Sequence, residues 1–296
     1  MPGRPLIFGE VLFDHFPDGT AVLGGAPVNV AWHLQGFGLS PILISRVGDD
    51  EQGRRVIDTM SRWGLDLSAL QTDDLHPTGQ VQVSLKDGQP GFDIVADQAY
   101  DFIDGELACS KVASIQPGLF YHGTLALRHS CSRDAFSLLA DLPGTQRCVD
   151  VNLRPPWTPM ERVCELLKGA SWAKVNDIEL QAITGCGPDA LSDGARRLKH
   201  QYGLGKLIVT QGEAGAFFLE DSTIRQGHPV AVVDLKDTVG AGDAFSSVSL
   251  LGLAMGWGQS ETLNRALEFA SLVCGVRGAT ISDPAVYRQC LDRWET

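Results

Sequence analysis

A chain of 296 residues with 44% hydrophobic content has room for one large or two small domains and for a substantial core. Its formal charge of −12, with no block of lysine or arginine, excludes the electrostatic footprint of a nucleic-acid binder. Seven scattered cysteines without a Cys-x-x-Cys pair argue against a zinc site or a disulfide framework and fit a reducing cytoplasm, while the short apolar run after Pro5 is expected to be neither signal peptide nor membrane span.

Leu6-Ile7-Phe8-Gly9 and Val11-Leu12-Phe13 read as one buried strand that delivers Asp14 at its end, making Asp14 a first candidate. Pro17-Asp18-Gly19 signals a turn, and Gly24-Gly25-Ala26-Pro27-Val28-Asn29 opens a helical pattern through Val30, Leu34 and Phe37, with Asn29 facing back toward Asp14. A strand over 42–45 and a helix over about 50–63 begin a strand–helix rhythm, which implies a parallel sheet. Between Thr78 and Ile103 the rhythm breaks: Val81, Val83 and Leu85 alternate with polar residues, Lys86 to Gly91 turns, and Phe92 and Ile94 alternate again. This predicts an antiparallel hairpin off the main sheet, a lid that covers a site or pairs with another subunit.

The rhythm resumes with a strand at 119–122, a helix at 132–142 and a strand at 147–151, followed by Asn152-Leu153-Arg154-Pro155-Pro156-Trp157. Ligands of open α/β sheets bind outside the carboxyl ends of strands, so Arg154 is a substrate candidate; the alternative is a surface arginine held by the Pro-Pro turn. After a strand at 172–175, Asn176 and Glu179 have the spacing of a capping box. Lys206 to Thr210 is a strand, and Gly212 and Gly215 in the following turn let a ligand lie close before the extended 216–219.

In Lys236-Asp237-Thr238-Val239-Gly240-Ala241-Gly242-Asp243-Ala244-Phe245 a polar turn runs into a helix, so backbone amides emerge unpaired where an anion is favoured. Asp243 beside them suits a base that takes a proton in phosphoryl transfer; the alternative is an ordinary helix cap. Helices at about 260–274 and at the end complete one compact domain, 1–296, with lid segments at about 10–23 and 77–104. Neither a P-loop, a dinucleotide fingerprint, His-Glu-x-x-His nor Gly-x-Ser-x-Gly occurs, and the seven dispersed histidines read as surface or satisfied core residues.

Gly24-Gly25-x-x-x-Asn29 near one end and Asp237-Thr238-x-Gly240-Ala241-Gly242-Asp243-x-Phe245 near the other resemble the signatures of the ribokinase-like (PfkB) sugar kinases. Lys174-x-Asn176-x-x-Glu179 and Val209-Thr210-x-Gly212-x-x-Gly215 fall between them in the family's order. The resemblance implies an α/β three-layer sandwich, a mostly parallel central sheet with a small inserted β lid, and ATP with Mg²⁺. It implies Asp243 as the base, the amides of Gly240, Ala241 and Gly242 as the phosphoryl cradle, and Asp14, Gly25 and Asn29 as sugar ligands. Asn176 and Glu179 would lie near phosphates and Mg²⁺, Glu179 through water, with Thr210, Gly212 and Gly215 along the nucleotide. Asp237, Val239 and Ser282 would hold a monovalent cation, K⁺, as in some relatives.

Gly9-Glu10-x-Leu12-x-Asp14, the Gly24-Gly25-Ala26-Pro27-x-Asn29 form and Asp150-x-Asn152-x-Arg154-Pro155 look most like fructokinases, and ketodeoxygluconate kinases share much of this. Arg154 suits sugar hydroxyls or a sugar-acid carboxylate. Tyr100 and Phe102 would stack on the sugar or pack the core. The leading expectation is an ATP-dependent fructokinase making fructose 6-phosphate. A 2-keto-3-deoxygluconate or nucleoside kinase of the same family is the alternative, and a sugar-binding regulator without catalysis is the reading from another class. Exposed lid edges make a homodimer reasonable.

Overall fold

The computed structural model describes residues 3–86, 89–232 and 234–295. The amino-terminal apolar run is two strands rather than one: β1 (Arg4–Phe8) enters a large sheet, whereas β2 (Leu12–His15) pairs antiparallel with β3 (Ala21–Gly24) in a smaller one. A continuous apolar run says nothing about where one sheet gives way to another, which is why the sequence read as a single strand. Next come α1 (Ala26–Gly36), β4 (Ile42–Gly48), α2 (Glu51–Arg62) and β5 (Leu70–Asp73). The Asp50 carboxylate caps α2 by accepting from the Gly53 amide at 2.7 Å. The expected hairpin is β6 (Gly79–Lys86) and β7 (Gln89–Ile94); of its turn, positions 87 and 88 lie outside the described residues.

The remaining chain alternates: α3 (Gly105–Val112), β8 (Pro117–His122), α4 (Ser130–Ala140), β9 (Gln146–Asp150), α5 (Met160–Leu167) and β10 (Trp172–Asn176). Then follow α6 (Asp177–Thr184), α7 (Leu191–Tyr202), β11 (Lys206–Thr210), β12 (Ala216–Glu220) and β13 (Thr223–Gly227). Three helices close the chain, α8 (Ala241–Met255), α9 (Gln259–Cys274) and α10 (Pro284–Glu295).

Among the described residues the large sheet has nine strands in the order β13-β12-β11-β10-β9-β8-β1-β4-β5, and the small one four, β3-β2-β6-β7. Seven neighbouring strands from β11 to β5 run parallel, and β12 pairs antiparallel with both β11 and β13. Alternate side chains of each strand point to opposite faces. Ile7, Tyr121, Cys148, Trp172, Ile208 and Phe218 pack in one core with α1, α2, α8 and α9. Phe8, Phe120, Val149, Val175, Leu207 and Phe217 serve two cores on the other face, under α3 to α7.

Three residues on one side of α1 tie it to the end of the chain. Asn29 reaches α8, the Trp32 indole N–H donates to the Ile281 carbonyl at 2.9 Å, and His33 Nε2 lies 3.0 Å from the Ala279 carbonyl. That carbonyl only accepts, so the His33 proton sits on Nε2. Burial pushes His33 down to about 4 and His122 to about 3; both are neutral and fully buried. A depressed histidine contributes stability that is complete above its unfolded value and lost as pH falls toward the folded value. His33 alone is expected to cost about 2.5 kcal/mol of stability by pH 4.5. Urea unfolding at pH 7 and pH 4.5 checks this, because His33→Gln should shrink the acid-induced loss by about that amount.

Candidate active site

The centre is built at the amino end of α8. Gly240 is its cap residue, at φ 80°. A Cβ there would stand 2.5 Å from Ala279 Cα, so the left-handed turn and the close approach both demand glycine. In the first helical turn the amides of Ala241, Gly242 and Asp243 precede the helical hydrogen-bond ladder; that of Ala241 turns to the Thr238 carbonyl at 3.3 Å. Asp243 is not the cap. Its carboxylate accepts from Asn29 Nδ2 at 2.7 Å, across 214 residues of sequence. The residue is half-buried, and the protein packed around the carboxyl dominates its titration. Burial, less the Asn29 hydrogen bond, plus the field of Asp150, raises Asp243 to about 6.

Behind it lies a buried network. Lys174 and Asp150 face each other in the β9–β10 register, with Lys174 Nζ donating to Asp150 Oδ2 at 2.7 Å. The same oxygen accepts from Ser246 at 2.8 Å and Tyr121 at 3.2 Å. Burial alone would lower Lys174, but Asp150 more than offsets it and the ammonium is held charged. Its Nζ stands 3.6 Å from where a Cβ of Gly242 would be, so a fixed positive charge adjoins the amide turn.

Gly25 begins α1 at φ 109°, and its missing Cβ would lie 2.6 Å from the Glu10 carbonyl. Glu10, 4% exposed, is raised to about 7, by burial first, with its own amide and Arg154 opposing. Asp14 on β2 is raised by burial and pulled back by Arg154. Arg154 is exposed, yet its charge acts on Glu10, Asp14 and Asp243 alike, which puts all three within its electrostatic reach. Tyr100 is fully buried in the core beneath the small sheet, and Phe102 packs between His76, 3.6 Å between ring centroids, and His129. Core packing, the alternative weighed for both, is where the Tyr100 ring sits, whereas Phe102 is half-buried outside the core clusters.

The capping box forms as read: Glu179 N–H donates to Asn176 Oδ1 and Asn176 N–H to Glu179 Oε2, each at 2.8 Å. Glu179 Oε1 also accepts the Leu153 amide at 2.7 Å, so this buried carboxylate fixes the loop that carries Arg154. Asn176 pairs in register with Thr210, and the Gln211 amide donates to the Gly215 carbonyl at 2.7 Å, placing the Gly212–Gly215 turn beside Asn176. Asp237 accepts from the Val239 amide at 3.0 Å and the Gly278 amide at 3.2 Å, joining the turn before α8 to the loop that leads to exposed Ser282. A concavity of about 390 Å³ opens between Val230, Ala231, Val232, Asp234, α9 and Arg293, apart from Asp243 and Asn29. Sequence reasoning missed Lys174, Asp150 and Glu10 as site residues although all three stood within recognised motifs; only strand register shows that the first two meet.

A buried carboxylate beside an amide-lined helix start, in a ribokinase-like α/β sandwich, defines a phosphotransferase that acts on a sugar alcohol group. Residues 9–286 match the pfkB family of carbohydrate kinases, and the chain belongs to that family. It is 29% identical to Fructokinase-2 of Oryza sativa subsp. japonica over 93% of this chain and 87% of that protein. It also resembles the Vibrio cholerae O395 fructokinase solved with fructose, ADP and potassium ion, a double mutant (TM-score 0.83, 25% identity, 98% and 99% of the chains covered). A fructokinase from Xylella fastidiosa with bound ATP shares the fold (TM-score 0.85, 19% identity, all of both chains).

Proposed function

We propose that the chain transfers the γ-phosphoryl group of ATP to D-fructose. The Asn29–Asp243 pair carries this reading: a carboxylate raised to about 6 and aimed by an amide is suited to accept an alcohol proton near neutral pH. Asp14, Gly25 and Asn29 would bind the sugar, and the first-turn amides after Gly240 would hold the migrating phosphoryl, with the Lys174 ammonium alongside. Asn176, Thr210, Gly212 and Gly215, contiguous through the β10–β11 register, would lie along the nucleotide. Both Glu179 oxygens already accept amides, so this residue fits magnesium through water, and magnesium bound with ATP supplies neutralisation of phosphate charge. Asp237, the Val239 carbonyl and Ser282 would supply oxygen ligands to potassium.

Three carboxylates, Glu10, Asp14 and Asp243, share the space that Arg154 reaches. Such a lining favours a neutral polyol over a sugar acid, whose carboxylate would meet three further acidic groups. Arg154→Ala is expected to raise KM for fructose about tenfold, the loss of one charged hydrogen bond, with kcat little changed. A coupled assay of ADP release over a panel of hexoses and hexonic acids tests both points, and faster turnover of 2-keto-3-deoxygluconate than of fructose would overturn the substrate assignment. Strand register puts Val22 and Phe92 on the face of the small sheet that bears Asp14, and both are exposed. That apolar surface suits a lid that meets a second copy in a homodimer, acting in the cytoplasm. No described helix is long and apolar enough to cross a membrane.

A further inference from the structure

Buried polar atoms are normally hydrogen-bonded, and leaving one unmatched costs about 1–3 kcal/mol. Glu10 Oε2, Asn29 Oδ1, Tyr100 OH and Arg128 Nη1 are all buried without a partner in the protein. Asn29 belongs to the pair with Asp243, but the other three have no part in the transfer step. Glu10 leaves the carboxyl end of β1, which lies between β4 and β8 where the strand order reverses, the crevice in which open α/β sheets bind ligands.

Arg128, with its side chain 5% exposed, is locked in place. Nε and Nη2 donate to Asp101 at 2.7 Å each, Nη2 also donates to the Val95 carbonyl at 2.6 Å, and the guanidinium lies over the Trp157 and Tyr100 rings at 4.5 and 5.2 Å. Only Nη1 is left to point elsewhere. Glu10 lies within electrostatic reach of both Arg128 and Tyr100, and Arg154 and Asp243 lie within reach of Glu10. Yet among the described residues Arg128 pairs with Asp101, and Glu10 forms no ion pair. A rigid donor and a carboxylate thus remain near each other without joining.

We propose that Glu10, with Arg128 and the Tyr100 hydroxyl, reads the sugar hydroxyls that are not phosphorylated and so sets substrate specificity. An alcohol both donates and accepts, so one hydroxyl can give its proton to Glu10 while taking one from Arg128 or Tyr100. A site built to bond a hydroxyl rejects the analogue that lacks it, because the protein groups are then left unpaired. The inference rests on the sugar-kinase reading above.

The test is steady-state kinetics of the whole chain on D-fructose and its monodeoxy analogues. The wild type should lose about 10²-fold or more in kcat/KM on one analogue. In Glu10→Ala, kcat/KM for fructose should fall to near the level of that analogue, whose own value changes less than about threefold, while KM for ATP is unaltered. Equal loss on the parent sugar and every analogue, or no loss on any, would overturn the assignment. Should Glu10→Ala fail to fold, Tyr100→Phe applies the same comparison at the neighbouring donor. Absence of turnover with every hexose would instead strike the kinase reading, and this inference with it.

Discussion

Asp243→Asn is expected to lower kcat by about 10³-fold or more while leaving sugar and ATP binding nearly intact. The amide keeps the shape of the carboxylate, and rotation of one side-chain amide can preserve a bond to Asn29, so the fold has no reason to suffer; only the proton acceptor is gone. The same group sets a pH dependence. With Asp243 raised to about 6, kcat/KM should climb tenfold per pH unit below about 6 and level off above it. The sign for stability is the reverse of that for the histidines: a raised carboxyl stabilises the protein below its unfolded value, and this is lost as pH rises through the folded one. Initial rates between pH 5 and 8, alongside calorimetric titration of the variant with fructose, check both statements. Turnover in Asp243→Asn at the wild-type rate would remove the base from the mechanism.

Gly240→Ala carries the second large effect. A left-handed conformation costs a non-glycine residue about 1–2 kcal/mol, and the new methyl group would meet the Ala279 backbone at 2.5 Å. The turn must shift, and the amides behind it shift too. Losing one well-aimed donor of this kind costs about 10²- to 10³-fold in kcat, so a fall of at least 10²-fold is expected, with a melting temperature lower by a few degrees. Rapid-quench measurement of the transfer step separates this from slower product release. A variant with normal kcat and only reduced stability would mean that the amides take no part in transfer.

Much of this was legible because local chemistry and position coincide. β10 and β11 are mostly apolar, each with one lysine, and end in Asn176 and Thr210, and the capping box of α6 follows from spacing alone. The glycine turn before α8 announces an anion site for the same reason. Other parts gave little signal: α7 is polar except for a narrow stripe around Ala195 and Leu198, and β5 and β13 are short edge strands. The role of Lys174 was hidden because its partner, Asp150, comes from another strand, and pairing depends on register rather than spacing. Glu10 read as the middle of a strand until the chain was seen to change sheets there. The reach of the Arg154 charge to three carboxylates was likewise a property of the assembled loops, the adjoining Leu153 being held by Glu179 from a later helix.

Asn29 precedes Asp243 by 214 residues, and the loop over 279–281 that α1 grips comes later still. All the named strands are therefore synthesised before the pair proposed for proton transfer can form. On the proposed roles, chemistry would have to wait for the arrival of α8.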